Sequence, residues 1–322
     1  MPDGSEITSD DDATLVDDLI QPFNLQAGRS HGPALTGRLT RLGPLADDVL
    51  TRHDYPEPVA QLVGQTLALG ATLAGALKFN GIFTLQMQGD GPVSLVVVDI
   101  TTTDEGATFT LRGYAKFDAE KLAELDTPSA RDLLGKGYMA LTVDQGQNTE
   151  RYQGLVELVG DSLAEFAQHY FRQSQQMDAA VMVSAGRDSA TGAWRAAGIM
   201  LQRVADQTLQ ILPSDDGDDP WRRNMMLMAT GTDAEMLDPE LAPRRYLFRL
   251  FHEEGLRVTP PRRLTRGCRC SEDRILNVLH QLPHEELVDL SIDGAVEVTC
   301  EFCNALYLFD PETLEPRSSP AV

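Results

Sequence analysis

The feature that most constrains this chain is the placement of its four cysteines. Cys268, Cys270, Cys300 and Cys303 are the only cysteines among 322 residues, and all of them lie near the C-terminus. They form a Cys-x-Cys loop and a Cys-x-x-Cys loop separated by 29 residues. Neither loop alone fills a tetrahedral site, but together they supply the four sulfurs of a structural zinc site. The sequence therefore predicts one Zn²⁺ per chain.

The segments around these loops predict a small module at 265–312. Ser271 is a suitable N-cap for a helix that Pro283 ends. The segments GAVEVTC (294–300) and ALYLF (305–309) alternate like strands and flank the second loop. We expect a helix and a hairpin folded around the metal.

Other interpretations of the cysteines are two disulfides or four unrelated buried thiols. A catalytic zinc is disfavoured because four thiolates leave no open coordination position. His280 and His284 lie between the loops, but Pro283 interrupts the helical register that would align them as ligands. The residues leave open whether the zinc is a permanent staple or an oxidant sensor.

The free energies of stabilisation are compatible with an oxidant sensor. A core of this size rarely contributes more than about 3–5 kcal/mol, whereas structural zinc contributes roughly 10–16 kcal/mol in finger peptides. Disulfides within each loop would close very small rings, contributing about 1.6–1.7 kcal/mol each, and would no longer join the two loops. Metal loss should therefore unfold the module.

The first part of the chain, 15–205, predicts an α+β core domain. An apolar pattern with helical spacing follows Pro56 and continues to Leu77. Alternating segments at 82–88 and 93–100, joined by GDGP, predict a hairpin. Further strands are predicted at 108–117, 138–143, 151–158, 179–184 and 196–204, with a helix at 162–174.

The composition changes near residue 206, and an acidic break at 214–219 precedes two helical patterns. We predict a helical connector at 206–264, too apolar to be a free linker, and disordered tails at 1–14 and 313–322. We predict that the connector docks on the sheet. We also predict that its large apolar side chains bind unfolded protein chains or gate that binding. These side chains are Trp221, Met225, Met226, Met228, Phe248 and Phe251.

The charge of the chain disfavours several classes of partner. Lys and Arg number 27 against 49 Asp and Glu, so the net charge of −22 repels nucleic acid and anionic membranes. The N-terminus is acidic where a signal peptide would be basic, so we expect a soluble cytoplasmic protein. No G-x-S-x-G, Walker A or G-x-G-x-x-G motif is present, and no enzymatic activity is predicted.

From about residue 15 to 310 the sequence resembles the heat-shock protein 33 family of redox-regulated holdase chaperones. The strongest match is CRCSEDRILNVLHQLP (268–283) with CEFCNALYLF (300–309). Weaker matches are GDGP (89–92), YQGLVEL with HYFRQS (152–174), AAGIMLQ (196–202) and YLFRLFHEEGLRV (246–258). Asn304 stands where the family commonly has Gly, and Ala197-Gly198-Ile199 replaces its usual Gly-Gly.

The resemblance implies that the four cysteines bind zinc when reduced and form Cys268–Cys270 and Cys300–Cys303 disulfides when oxidised. Zinc release then unfolds the module and connector, activates ATP-independent binding of unfolding proteins and favours a homodimer. Two other functions compete with this one. They are a constitutively zinc-stapled binding or adaptor protein, and a thiol oxidoreductase that uses Cys300 and Cys303, although that pair precedes a strand instead of a helix.

Overall fold

The computed structural model describes residues 5–6, 17–26, 33–103, 108–146, 151–204, 220–314 and 316–317. The chain divides into two compact units, Met1–Arg266 and Gly267–Val322. The predicted boundary near residue 206 and the acidic break at 214–219 lie outside the described residues. The helical segment that follows belongs to the first unit.

The first unit combines strands and helices. Its strands are β1 (Ser5–Glu6), β2 (Leu19–Gln26), β3 (Pro33–Leu42), β4 (Gly81–Gly89), β5 (Val93–Thr103), β6 (Thr108–Phe117), β7 (Gly137–Asp144), β8 (Tyr152–Glu157), β9 (Ala179–Arg187), β10 (Trp194–Arg203), β11 (Arg257–Val258) and β12 (Arg262–Arg266). Its helices are α1 (Pro44–Thr51), α2 (Glu57–Ala76), α3 (Ala119–Leu122), α4 (Ala130–Leu134), α5 (Leu163–Tyr170), α6 (Pro220–Ala229), α7 (Asp233–Leu237) and α8 (Pro243–Phe251).

These strands form one sheet in the order β8-β7-β4-β5-β6-β12-β2-β3-β10-β9. Neighbouring strands are antiparallel except for β12 and β6, which run parallel. The predicted hairpin is β4–β5, and β6, β7, β8, β9 and β10 also form where alternation predicts strands. β11 pairs with both β1 and β2, so Ser5–Glu6 is a short strand, and the rest of the predicted tail at 1–14 lies outside the described residues.

Helix α2 forms the centre of the larger core. It has 20 residues, and among the described residues it is the one helix whose length and mean hydropathy of 1.3 would let it cross a membrane. Within the fold, 83% of that apolar window is buried. Small residues let the helix approach the strands: Gly64 faces Ala185 on β9, and Gly75 faces Ile20 on β2.

The opposite face of the sheet is covered by α6, α7 and α8. Alternation on β10 divides its side chains between the two faces: Met200 belongs to the α2 core, whereas Ile199 and Leu201 belong to the second core. The second core also contains Phe23 on β2 and Leu39 on β3. The central strands are therefore buried on both faces, and the predicted connector region supplies the second covering layer.

The second unit is much smaller. It contains α9 (Glu272–Leu279), α10 (His284–Asp289) and a sheet of β13 (Ser291–Ile292), β14 (Ala295–Thr299), β15 (Leu306–Phe309) and β16 (Pro316–Arg317). The predicted helix and hairpin are present as α9 and β14–β15. The predicted disordered tail at 313–322 is wrong at Pro316–Arg317, because β16 pairs with β15 there. Its cluster of buried apolar residues has four members, Leu279, Leu287, Val296 and Phe309. Five large apolar side chains are exposed: Val278, Val288, Leu290, Ile292 and Leu306.

Candidate metal centre

The four cysteines lie at the ends of regular elements. Cys268 and Cys270 precede α9, which begins after Ser271, whose side chain accepts a hydrogen bond from the Arg274 N–H. Cys300 follows β14, and Cys303 precedes β15. The hairpin therefore supplies one pair of thiols, and the segment that leads into α9 supplies the other.

A tight turn shapes the second loop. The Cys300 N–H donates to the Ala305 carbonyl over 2.9 Å, and the Asn304 N–H donates to the Cys300 carbonyl over 2.8 Å. Asn304 has a φ of 56°, a left-handed conformation that Gly and Asn adopt more readily than other residues. The departure from Gly at this position is thus compatible with the turn.

The sulfur positions fit a tetrahedral metal site. All four Sγ atoms lie within 4.8 Å of one another. Cys268 Sγ is 3.6 Å from Cys300 Sγ, and Cys270 Sγ is 3.5 Å from Cys303 Sγ. A tetrahedral zinc with Zn–S bonds of about 2.3 Å has S···S edges of about 3.8 Å. The four half-buried thiols form no disulfide and could hold Zn²⁺ with little rearrangement.

The thiols differ in acidity. Burial alone would raise the pKa of Cys268, but hydrogen bonds from the Cys270 N–H and from the neighbouring thiols outweigh it and lower this pKa to about 6. Burial raises the pKa of Cys300, and burial together with donation to the other sulfurs raises that of Cys303 to about 12. The cluster thus forms one thiolate easily, and a cation is needed to balance four.

One group at the site was not singled out from the sequence. The Tyr307 hydroxyl on β15 donates a hydrogen bond to Cys270 Sγ over 3.1 Å. This hydrogen bond raises the pKa of Tyr307 above its usual value. The sequence shows Tyr307 only as part of the ALYLF segment (305–309). Its position beside the first loop depends on the pairing of β15 with β14.

The two histidines considered as alternative ligands are not part of the cluster. His280 follows α9, and His284 begins α10 on the other side of Pro283. Both side chains are exposed. Within the described part of the chain, the group able to hold a metal consists of the four cysteines alone.

In the sequence, the four-cysteine module begins directly after β12, a strand of the large sheet. β12 ends at Arg266, two residues before Cys268, and pairs with both β6 and β2. Arg266 also forms an ion pair with Asp48 over 3.1 Å. A hydrogen bond from Arg52, aided by Arg266, lowers the pKa of Asp48. The last strand before the first metal-binding loop is therefore anchored in the first unit.

The predicted client-binding or gating residues lie on α6 and α8 and differ in exposure. Three are buried in the second core: Trp221, Met228 and Phe251 are 7%, 3% and 0% exposed. Met225 and Phe248 are partly buried against the same core. Met226 is 57% exposed. In this structure most of the apolar surface of these helices is covered by the sheet.

Comparison with known proteins shows which family this chain resembles. Residues 24–310 match the Hsp33 protein family. The 33 kDa chaperonin of Caulobacter vibrioides (strain NA1000 / CB15N) is 40% identical over 307 residues, which cover 93% of this chain and 97% of that protein. The 33 kDa chaperonin of Pseudomonas fluorescens (strain SBW25) is 36% identical over 277 residues, covering 85% of this chain and 86% of that protein.

A solved structure agrees with the fold. The crystal structure of the 33 kDa chaperonin (heat shock protein 33 homolog) from Thermotoga maritima superposes with a TM-score of 0.72 at 23% identity. The match covers 92% of this chain and 96% of that chain. Fold and site together define an α+β protein with a small C-terminal four-cysteine module. The chain belongs to the Hsp33 family, whose curated members matched here are named 33 kDa chaperonin.

Proposed function

We propose that this chain is a cytoplasmic, ATP-independent holdase chaperone that oxidation activates. In the reduced state Cys268, Cys270, Cys300 and Cys303 hold one Zn²⁺. Oxidation forms the Cys268–Cys270 and Cys300–Cys303 disulfides and releases the metal. The oxidised protein, as a homodimer, binds unfolding client proteins, and neither nucleic acid nor a membrane takes part.

The observation that carries this proposal is the set of four thiols within 4.8 Å of one another in a unit with a small apolar core. Its buried apolar cluster has four residues. Such a core contributes a few kcal/mol, whereas structural zinc contributes about 10–16 kcal/mol. Because oxidised thiols cannot serve as thiolate ligands, the same chemistry that forms disulfides removes most of the stabilisation of this unit.

The connection to client binding runs through β12 and the connector helices. β12 ends two residues before Cys268 and pairs with β2, whose Phe23 stacks on Phe251 of α8 with ring centroids 5.7 Å apart. Unfolding of the metal module would leave the C-terminal end of β12 attached to an unfolded segment. Release of α6 and α8 would then uncover buried aromatic and Met side chains, a surface able to bind unfolded chains.

The decisive experiment compares reduced and oxidised protein in one assay. Light scattering of a heat-unfolded client should be suppressed by the peroxide-treated protein and not by the reduced protein, with about one zinc released per chain. Suppression that is equal in both states, with zinc retained, would instead support a constitutively zinc-stapled binding or adaptor protein.

Two variants separate the loss of a metal ligand from the effect of any substitution close to the site. Cys300→Ser removes one ligand and should bind zinc weakly and suppress aggregation even with reductant present. Thr299→Ser changes the exposed neighbouring residue and should behave like the wild type. A reduced Cys300→Ser protein that keeps its zinc and remains inactive would contradict the proposal.

A further inference from the structure

The four cysteine sulfurs differ in the kind of group that donates a hydrogen bond to them. Backbone N–H groups donate to three of them: Cys270 N–H to Cys268, Phe302 and Cys303 N–H to Cys300, and Ala305 N–H to Cys303. Cys270 receives a side-chain donor, the hydroxyl of Tyr307, over 3.1 Å. A backbone donor is present whatever the side chain is, whereas this hydroxyl depends on residue 307 being tyrosine.

Local structure holds the hydroxyl in place. Tyr307 lies in the middle of β15, where it pairs with Val298 of β14. Its ring packs against the small core of the unit. Since the strand and the ring fix the direction of the hydroxyl, the contact with Cys270 is a built feature of the hairpin.

We propose that the Tyr307 hydroxyl lowers the nucleophilicity of Cys270 and thereby slows attack on oxidants at this sulfur. Tyr307 is a positioning residue in this role, and the inference rests on the proposed zinc-thiolate switch. With zinc bound, all four sulfurs are already thiolates, so a hydrogen bond cannot create more thiolate. It can only withdraw electron density from sulfur and make the electron pair less available.

The chemistry concerned is a two-electron transfer. The thiolate sulfur attacks one oxygen of a hydroperoxide; an S–O bond forms, the O–O bond breaks, and the leaving alkoxide or hydroxide takes a proton from water. A second thiolate then attacks the sulfenic sulfur, so that an S–S bond forms and hydroxide leaves. The sulfurs lose two electrons in total, which the peroxide accepts. The Tyr307 hydrogen bond opposes the first of these attacks when it occurs at Cys270.

General principles set the size of the effect. Hydrogen bonds to charged groups shift equilibria by roughly ten- to a hundredfold. Thiolate nucleophilicity follows basicity with a Brønsted coefficient of about 0.4–0.5. Removal of the hydroxyl should therefore accelerate reaction at Cys270 by about three- to tenfold.

The test uses the zinc-loaded full-length Tyr307→Phe variant, which keeps the ring and removes the hydroxyl. Limited alkylation with iodoacetamide, in which an S–C bond forms and iodide leaves, measures each sulfur separately by peptide mass spectrometry. We expect alkylation of Cys270 to be about three- to tenfold faster, while the other three cysteines change less than about twofold. Zinc release under hydrogen peroxide should be faster as well. Tyr138→Phe, an exposed tyrosine in the first unit, is the matched control.

A purely structural role would give a different result. If the hydroxyl only stabilised the module, zinc transfer to a chelator without oxidant would accelerate in parallel, and all four cysteines would react faster. That outcome, or an unchanged Cys270 rate, would overturn the proposal. Because the measurement follows single sulfurs, it is independent of whether the oxidised protein suppresses client aggregation.

Discussion

Arg41 on β3 and Leu241 at the start of the segment into α8 are 200 positions apart in sequence, and the guanidinium of Arg41 donates to the Leu241 carbonyl over 3.2 Å. A second N–H of the same group donates to the carbonyl of Asp238, the residue that follows α7. Arg41 is 2% exposed. Burial lowers the pKa of Arg41 to about 10, so it remains charged near neutral pH. This buried contact joins the sheet to the connector helices.

The first prediction concerns this contact. Arg41→Met retains the apolar stem of the side chain but leaves the Asp238 and Leu241 carbonyls without this donor. We expect the free energy of unfolding to fall by about 1–3 kcal/mol, with amide hydrogen exchange increasing at 233–251 and not in α2. If the chain acts as proposed, this variant should also require less oxidation to become active.

Arg38→Met provides the control because Arg38 lies on the same strand and donates to Gly75 at the end of α2. Its loss should increase exchange in α2 instead of the connector. Equal exchange at 233–251 in both variants would show that Arg41 does not specifically hold the connector.

The second prediction concerns Gly198 on β10, which lies against α2. A Cβ at Gly198 would lie 2.8 Å from Thr72 Oγ1 and 3.2 Å from the Ala68 carbonyl oxygen of α2. Ala197 faces the other core and is tolerated there. Gly198→Ala should lower stability by about 1–3 kcal/mol in chemical denaturation.

Gly186→Ala is the matched change on neighbouring β9. Among the described residues, a Cβ there would meet Leu237 Cδ1 alone, at 3.3 Å. This atom is the end of a flexible side chain, so the expected change is below about 0.5 kcal/mol. A Gly198→Ala variant as stable as wild type would mean that α2 can move away from β10 without loss.

These contacts show why sequence predicted some parts of the fold and not others. The apolar periodicity of α2 and the GDGP hairpin β4–β5 are local patterns, and both formed as predicted. β2 and β3 were not predicted. β3 contains Gly37, Arg38 and Arg41, which interrupt apolar alternation, and their roles depend on partners far away in sequence.

The site shows the same division. Cysteine spacing alone indicated that Cys268, Cys270, Cys300 and Cys303 would come together, because chelation requires side-chain chemistry and loop spacing more than tertiary detail. Tyr307 could not be assigned in this way. Its proximity to Cys270 depends on the register of β14 with β15, which no local pattern in the sequence specifies.

A third prediction concerns pH. Burial raises the pKa of Asp18, although its carboxylate accepts hydrogen bonds from the N–H groups of Gly43 and Leu45 at the start of α1. A raised pKa in the folded state means that the charged form destabilises the fold above that pKa and that this penalty is relieved as pH falls through it. Asp18→Asn keeps an acceptor oxygen and removes the charge, and Asn tolerates the φ of 55° at this position.

Asp18→Asn should therefore raise the melting temperature at pH 7, and the difference from wild type should shrink as pH falls toward the ordinary aspartate pKa of 3.8. Asp48→Asn is the opposite control. The folded-state pKa of Asp48 is lowered, so its charge stabilises the fold above 3.8 and its removal should be unfavourable at pH 7. A melting temperature of Asp18→Asn below wild type at pH 7 would show that the carboxylate charge favours the start of α1 more than burial disfavours it.

The last prediction is that metal removal unfolds the second unit and leaves the first unit folded. The first unit has two extensive apolar cores, one around α2 and one under α6 and α8, whereas the described part of the second unit has one buried apolar cluster of four residues. A chelator under reducing conditions removes zinc without forming disulfides, so it isolates the structural contribution of the metal. Hydrogen exchange should show loss of protection across Glu272–Leu279 and Ala295–Thr299, with Glu57–Ala76 unchanged. Restoring zinc should restore protection, since the thiols remain reduced. Protection of α9 and β14 that persists without metal would mean that the small core is sufficient by itself, and oxidation would then need a different route to loosen the connector.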